Sequence, residues 1–481
     1  MKILMATSET VPFSKSGGLA DVVGALSFAL ARRGCEISVS MPLYGSLDSS
    51  EFTFYKAYDI TVLGGYRNVP VLRKTLNDVT FYAISDPLFT ERKGIYGDTS
   101  FTPYQDNPLR FSILSIVSTR LALDLKADIL HAHDWTAGLI PLIAKEEKHP
   151  YKTIMTIHNL AYQGNYSKYD ILFSAVRPTP RCFSGSGEGK RYNMLKTGLE
   201  YADAITTVSP TYAKEIQGEA LGCGLNGLLT ERGNVLSGII NGIDTDEWNS
   251  STDPNFDFHF TKDNMEGKAK LKAEVQEEFG LEVRADVPLF GMISRLAEQK
   301  GFFELLEGDC SALEEILKTE DVQFIIIGTG DQTYENKLLE LSERYSNLTA
   351  KIMFSNRAAH RVEGASDFFL MPSRYEPCGL NQLYSLRYGT LPIARKTGGL
   401  ADSIVNLKEK PQEGTGFLFD ELTRESIMEA VYGAVAFYRK DKTGFKNARL
   451  RAMNRDSSWD ASADQYCRLY KSIIIGGEKD E

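Results

Sequence analysis

Short apolar runs rich in branched and aromatic residues alternate with helix-period segments along most of the chain. This is the pattern of a parallel sheet covered by helices. In the first half, runs at 2–6, 36–41, 128–132, 153–157 and 204–208 predict strands. Helical spacing of apolar residues predicts helices over 19–33 (closed by Gly34), 107–124, 135–148 and 192–202. The stretch 52–84 breaks the rhythm. Phe-Thr-Phe-Tyr, Val-Pro-Val-Leu and Val-Thr-Phe-Tyr follow one another with no helix between, which predicts an antiparallel insertion on the first domain.

Residues 242–265 are polar and irregular, and 266–279 is helical, so this region reads as a hinge leading into a second unit. From Pro288 the alternation restarts, with strands at 289–293, 323–327, 350–354, 367–371, 390–394 and 415–419. Helices at about 443–455 and 460–473 follow the last strand. The domains expected are 1–245 and 246–455. Periodicity alone does not say where the tail packs.

Nearly the same seven residues occur twice. Lys15-Ser16-Gly17-Gly18-Leu19-Ala20-Asp21 follows Ile3-Leu4-Met5-Ala6, and Lys396-Thr397-Gly398-Gly399-Leu400-Ala401-Asp402 follows Leu391-Pro392-Ile393-Ala394. A Gly-Gly turn between strand and helix lets the backbone approach a ligand closely. Its N–H groups and the helix dipole favour negative charge there. Two such turns predict two α/β domains serving one anionic ligand.

The 481 residues suffice for two or more full cores, and 42% apolar with 25% charged residues is ordinary globular composition. A net charge of −10 argues against a nucleic-acid-coating protein. It leaves room for an anionic small molecule in a locally basic site. The six cysteines have no Cys-x-x-Cys spacing and the six histidines no His-x-x-x-His pattern. That predicts a reduced cytoplasmic setting and no metal site. No run is apolar enough for a signal peptide or a membrane span.

Arg295 and Lys300 follow a predicted strand, where open α/β sheets bind ligands, and two cations there suit a diphosphate; solvated surface charges are the bland alternative. Ile327-Gly328-Thr329-Gly330-Asp331 lacks the third glycine or alanine of a dinucleotide fingerprint, since Thr333 stands there. In Met371–Gln382 a strand ends in a turn holding Glu376, placed to accept from sugar hydroxyls or simply to cap the turn, and a helix is expected near Gly379. Cys378 has no histidine near it in sequence and reads as a small packing residue rather than a nucleophile. His131-Ala132-His133-Asp134-Trp135 and Thr156–Gly164 end two strands of the first domain. They read as metal ligands, satisfied core histidines or a sugar site, and aromatic rings beside amides and carboxylates fit the sugar best.

Taken in order, these segments resemble the bacterial glycogen/starch synthases of glycosyltransferase family 5. The motifs are Lys15–Asp21, His131–Trp135, His158–Gly164, Asn241-Gly242-Ile243-Asp244, Ser294–Gly301, Pro372–Tyr384 and Thr397–Asp402, and they cover nearly the whole chain. The resemblance implies an α/β fold of two Rossmann-like doubly wound domains facing a deep cleft (GT-B), with the tail, 456–481, returning to the first domain. It implies retaining transfer of glucose from ADP-glucose, with UDP-glucose the alternative, to the non-reducing end of an α-1,4-glucan such as glycogen. No metal or other cofactor, nucleic acid or membrane is implied.

Residue by residue, the resemblance places Lys15 and Gly18 at the donor phosphates and Asp21 near the donor. Arg295 and Lys300 hold the diphosphate, helped by the amides of Thr397, Gly398 and Gly399. Glu376 and Asn241 contact the transferred glucose, with Cys378 and Gly379 in the same donor segment. His158 and Asn159 lie beside the reacting carbon, and Tyr96, Asp134 and Trp135 are acceptor-side candidates. Three positions depart from the expected pattern. Tyr384 stands where the broader retaining pattern has a second glutamate. Phe354 replaces a tyrosine, leaving an adenine-stacking ring without its hydroxyl. Glu363 falls in a run that is usually aromatic–Ala-Gly-Ala-Asp. Other readings are a transferase with a different acceptor, a silent glucan-binding homologue and a nucleotide-sugar epimerase.

Overall fold

The structure, a computed structural model, describes residues 1–62, 65–98, 100, 102–167, 169–170, 177–185, 189–308 and 310–477. The chain forms two compact units: Met1–Asn241 with Trp459–Glu481, and Gly242–Ser458. The divisions thus fall at 241/242 and 458/459, not at 245/246 and 455/456, and residues 478–481 lie outside the described part.

The strands of the first unit are β1 (Lys2–Ala6), β2 (Glu36–Pro42), β3 (Thr53–Val62), β4 (Gly65–Leu76), β5 (Val79–Ile84), β6 (Ile129–His133), β7 (Lys152–Ile157), β8 (Asn165–Tyr166), β9 (Phe183–Ser184), β10 (Arg191–Asn193), β11 (Ala204–Thr207) and β12 (Leu236–Gly238). Nine of them form one sheet in the order β12-β11-β7-β6-β1-β2-β5-β4-β3. β1, β6, β7 and β11 are almost wholly buried, as expected of parallel strands covered on both faces.

The 52–84 stretch is not a separate insertion. β3 and β4 form an antiparallel ribbon at the sheet edge, but β5 pairs parallel with β2, from Ile37 opposite Val79 to Pro42 opposite Ile84. Apolar residues in β5 are buried, so it reads locally as a strand without revealing its partner. The expected helix over 135–148 is a short turn at Trp135–Ala137 and then a helix only over Ile140–Glu146, with Pro141 in its first turn. The helix expected from 192 begins as β10, which joins β8 and β9 in a small antiparallel sheet. Asn193 then caps helix Met194–Tyr201 by accepting the Lys196 amide at 2.7 Å.

The tail helix Trp459–Gly477 packs on the first unit. Trp459, Ala463, Tyr466 and Tyr470, spaced three or four apart, share a buried cluster with Leu19, Val23, Leu26 and Leu30 of helix Gly18–Arg32.

The second unit has β13 (Leu289–Ile293), β14 (Gln323–Gly328), β15 (Leu348–Ile352), β16 (Phe368–Met371), β17 (Leu391–Arg395) and β18 (Phe417–Phe419) in one parallel sheet ordered β15-β14-β13-β16-β17-β18. This is the Rossmann strand order. The strand expected at 350–354 starts earlier, paired Leu348 to Phe324, which leaves Met353 and Phe354 beyond its end.

Residues 242–265 are not a loose hinge. Trp248, Phe256 and Phe260 are buried in a cluster with Leu271, Val275 and Tyr388. Polarity misled here because Asp253 is fully buried, accepting from Tyr388 Oη and pairing with His360 Nδ1 at 2.7 Å. Trp248 lies flat between His360, 3.8 Å away, and Tyr384, 3.5 Å away. Tyr384, at the position of the missing second glutamate, is therefore a packing residue on helix Asn381–Arg387. Glu363 also has an account: it is buried, its carboxylate accepts from Ser385 Oγ, and burial pushes its carboxyl well above the ordinary range. Lys268 beside it donates to Thr390 Oγ1 at 2.8 Å, and burial holds its amine well below its usual value. Burial thus shifts both groups toward their neutral forms.

In each unit the strand order reverses beside the first strand: between β1 and β6 in the first and between β13 and β16 in the second. Open α/β sheets bind ligands at the carboxyl ends of strands at such a switch point.

Candidate active site

In the first unit, β1 delivers Thr7–Asp21 and β6 delivers Asp134 and Trp135. Gly17 precedes helix Gly18–Arg32 and provides no side-chain cap. The gap is filled from elsewhere by Glu9, 2% exposed. Its Oε2 accepts the amides of Ser16 and Gly17 (the latter at 3.1 Å), and its Oε1 accepts from Tyr96 Oη at 2.8 Å. The Gly-Gly turn is therefore less open to phosphate than its sequence suggests, since these two amides already face a carboxylate. Gly18 itself is exposed, and a side chain there would meet nothing within 4 Å. Lys15 Nζ lies 2.8 Å from Asp21 Oδ1, both part-exposed, which ties the loop's cation to the first turn of the helix.

Asp134 has φ +55°, and its Oδ1 accepts the His158 amide at 2.8 Å. Burial pushes its carboxyl up to about 7, against hydrogen bonds from the His158 and Asn159 amides, and the Glu9 charge adds to the rise. His158 Nε2 lies 3.0 Å from His133 Nδ1. Burial holds His158 and His131 down at about 3 and His133 well below its usual value, so all three rings are neutral. Both nitrogens of His131 are engaged, with Tyr470 Oη at 2.9 Å and Thr156 Oγ1. This rules out His131 as a metal ligand and makes it a core residue joining sheet to tail helix. Trp135 sits among Tyr96, Phe111 and Tyr166, at 6.1, 5.0 and 6.1 Å between ring centres. Gly164 (φ +62°) closes over it, because a Cβ there would lie 2.5 Å from the indole.

In the second unit, β13 delivers Arg295 and Lys300, β16 delivers Ser373 and Glu376, and β17 delivers Thr397–Gly399. Arg295 is exposed, with Nη2 3.2 Å from Gln299 Oε1. Lys300 Nζ is paired with Glu376 Oε2, which also accepts from Ser373 Oγ at 3.1 Å. The expected diphosphate cation and the expected sugar carboxylate are thus partners of each other. The helix expected near Gly379 begins at Asn381, and Gly379 (φ +70°) is the turn before it. Cys378 is buried, as its packing role predicts.

The amides expected to cradle phosphate in the second turn are largely engaged as well. Thr397 N–H donates to Arg395 O at 3.0 Å, and Gly399 N–H to Glu376 O at 3.1 Å. Gly398 (φ +44°) permits this because a Cβ there would lie 2.0 Å from Glu376 O. The second glycine turn therefore also braces the Glu376 turn.

Asn241 is 6% exposed and its Oδ1, buried, has no hydrogen-bond donor among the described residues. Such an orphan acceptor calls for a partner, and a substrate hydroxyl is one. Phe354 is 93% exposed just past β15, an aromatic face with no packing role. Sequence reasoning missed Glu9, Ser373 and the Tyr470–His131 contact. Glu9 stands among buried Thr7, Ser8 and Thr10 directly after a strand, and this buried polar run was the available signal.

Comparison with known proteins bears on the family and the fold. The family model for the starch synthase catalytic domain matches residues 2–231, and that for glycosyl transferases group 1 matches 276–440. The glycogen synthase of Treponema denticola is 41% identical, covering 98% of this chain and 99% of that protein. The glycogen synthase of Geotalea daltonii is 40% identical, covering 98% and 99%. Among solved structures, the catalytic domain of starch synthase IV from Arabidopsis thaliana, bound to ADP and acarbose, superposes with a TM-score of 0.86 at 28% identity, covering 98% of this chain and 99% of that one. Sucrose-phosphate synthase from Thermosynechococcus elongatus, 16% identical with a TM-score of 0.60 and covering 99% of both chains, shares the fold. With motifs, strand order and near-full-length likeness in agreement, the chain belongs to the bacterial glycogen/starch synthase family, glycosyltransferases of the GT-B class.

Proposed function

We propose that the chain transfers glucose from ADP-glucose to the non-reducing end of an α-1,4-glucan, with retention at C1 and without a metal ion. The observation that carries this reading is the placement of Lys15, Arg295, Lys300 and Glu376 at the strand-end switch points of a glycogen synthase relative. Support for the ligands comes from the starch synthase structure, which holds ADP and acarbose.

Breaking the C1–phosphate bond develops positive charge on the sugar and negative charge on the departing diphosphate. Arg295 and Lys300 grip the diphosphate, and Lys15 adds a third cation. Preorganised donors of this kind are commonly worth about 3–4 kcal/mol each in the transition state. Glu376, held by Lys300 and Ser373, accepts from the glucose hydroxyls, and Asn241 supplies a further acceptor. His158, neutral and fixed by Asp134, presents an uncharged ring beside C1. Neither Asp134 nor Glu376 is an available nucleophile, since one carboxyl is engaged by amides and the other by Lys300. The acceptor hydroxyl therefore attacks from the face the diphosphate leaves, its oxygen bonding to C1 while its proton passes to the leaving phosphate oxygen. Three cations neutralise the departing charge, and among the described residues no three His, Cys, Asp or Glu side chains gather as a metal site. No helix among the described residues is long and apolar enough to cross a membrane, and we place the reaction in the cytoplasm.

Nucleotide release from ADP-glucose and from UDP-glucose, each with and without glycogen and each with and without EDTA, tests this reading. Glycogen-dependent release of ADP, unchanged by EDTA, is expected. Release only from UDP-glucose, or activity restored by Mg²⁺ after EDTA, would overturn the donor or the metal-free step respectively.

A further inference from the structure

We propose that Glu9 is a positioning residue of the transfer reaction: it fixes the Lys15–Asp21 loop so that the Lys15 ammonium is held where the donor phosphate arrives. The inference rests on the functional reading above for the role of Lys15, but its structural half stands on geometry alone.

The Glu9 carboxylate is almost completely buried, yet among the described residues it pairs with no cation. Its charge is met by main-chain amides and hydroxyls instead. Oε2 accepts from the amides of Ser16 and Gly17, the Ser16 hydroxyl lies 3.0 Å from both oxygens, and Tyr96 Oη donates to Oε1 at 2.8 Å. These amides immediately precede helix Gly18–Arg32, where the dipole favours a negative group. Buried charges persist where they are hydrogen-bonded in this way. Ser16 and Gly17 directly follow Lys15, so the carboxylate clamps the backbone on which Lys15 stands. The other oxygen reaches through Tyr96 to Ser8 Oγ, 2.9 Å from the phenol, and the Tyr96 ring lies beside Trp135. The loop is thereby built against the acceptor-side aromatic cluster of its own unit.

Glutamine at this position can preserve the clamp. Its Oε1 accepts from Ser16 and Gly17, its Nε2 donates to Tyr96 Oη, and the phenol proton turns to Ser8 Oγ. Alanine cannot. A cation displaced by about an ångström typically costs on the order of a hundredfold in rate. The double change Glu9→Ala with Lys15→Ala separates positioning from an independent role, because residues acting as one unit are not additive.

The test is steady-state kinetics on E9A, E9Q, K15A and the E9A/K15A double variant, with amide hydrogen exchange over residues 12–24. We expect E9A to lose kcat on the order of ten- to a hundredfold with ADP affinity little changed, and E9Q to stay within about threefold of wild type, as loss of charge on one intact hydrogen bond allows. The double variant should match K15A alone. Exchange at Ser16 and Gly17 should accelerate in E9A and remain near wild type in E9Q. If E9Q falls as far as E9A while its loop stays protected, the charge itself enters the chemistry and the proposal is wrong. Multiplicative losses in the double variant, or unaltered loop exchange in E9A, would overturn it too. A wild-type enzyme that transfers no glucose would refute the functional reading, while the exchange measurement would still decide whether Glu9 holds the loop.

Discussion

Asp134 and His158 are joined across neighbouring strand ends, with Asp134 Oδ1 accepting the His158 backbone N–H at 2.8 Å. The carboxyl orients the histidine through its main chain and leaves the ring nitrogens to other partners, of which His133 is one. Asp134, expected on the acceptor side, thus also fixes the main chain of its neighbour.

This relationship carries a pH dependence. Burial lifts Asp134 to about 7, so the fold holds that proton more tightly than the unfolded chain does. The group's contribution to stability is full below about pH 4 and is lost as pH rises through its folded value. Asp134→Asn keeps an acceptor for His158 and removes the titration. From about pH 5 to pH 8, the wild-type urea midpoint should therefore fall more than the variant's. Parallel slopes would put Asp134 back in the ordinary carboxyl range. In Glu9→Gln the loss of a neighbouring negative charge should move the Asp134 midpoint, read by carbon NMR, to lower pH.

His360 predicts the opposite end of the pH scale. Burial alone would depress it, but its hydrogen bond to Asp253 and its ion pair with Glu247 prevail and push it up to about 9. The stabilisation is complete below its unfolded value of about 6.5 and disappears as pH rises through the folded value. His360→Gln should be clearly less stable than wild type near pH 6, with the gap narrowing by about pH 10. A gap that stays constant across that range would show that stacking on Trp248, rather than charge, accounts for His360.

Phe354 should matter for binding and not for folding. Its ring is 93% exposed, so Phe354→Ala should leave the thermal midpoint unchanged. If it stacks on adenine, loss of roughly 1–3 kcal/mol of base stacking should raise the ADP dissociation constant between several-fold and about a hundredfold. An unchanged constant in calorimetric titration would remove Phe354 from the donor site.

The sequence shows most of the fold because parallel strands, buried on both faces, write themselves as apolar runs. Errors fall where a tertiary partner decides. β5 looks like a ribbon strand until its pairing with β2 is known. Residues 242–265 look like a hinge because the buried charge of Asp253 and the stacked Trp248 have no periodicity. For the site, motifs identify which residues gather at strand ends but not what each one touches. Lys15 with Asp21, and Lys300 with Glu376, are pairs that no linear pattern displays. Glu9 shows in the sequence only as one member of the polar run after β1, since its work is done on main-chain amides seven and eight residues away.

The Lys300–Glu376 pair sharpens what Glu376→Ala should do. Removing a carboxylate that binds the transferred glucose should abolish most of kcat. It also frees the Lys300 ammonium, so affinity for ADP, which carries no glucose, should be retained or increased. Turnover near wild type would reduce Glu376 to a brace for the turn at Gly398. A large loss of ADP affinity would mean that the pair holds Lys300 in its binding position.

Lys15 and Lys300 should separate when ADP binding and turnover are measured together. Lys300 lies on the same unit as Arg295 and the exposed Phe354 ring, and Glu376 already fixes it at 19% side-chain exposure. A nucleotide diphosphate can be gripped there throughout the cycle, so Arg295→Ala and Lys300→Ala should weaken ADP binding as well as slow turnover. Lys15 belongs to the other unit and is half exposed, restrained among the described residues by Asp21 and by the loop beneath it. Its contribution should be concentrated where charge on the leaving diphosphate is greatest. Lys15→Ala should lower kcat by a factor on the order of ten to a thousand, the range for one preorganised donor. ADP affinity should change far less. Calorimetric titration of the three variants with ADP, beside their kcat values, decides the matter. If Lys15→Ala loses as much ADP affinity as Lys300→Ala, the two loops share one task and the division drawn between them is wrong.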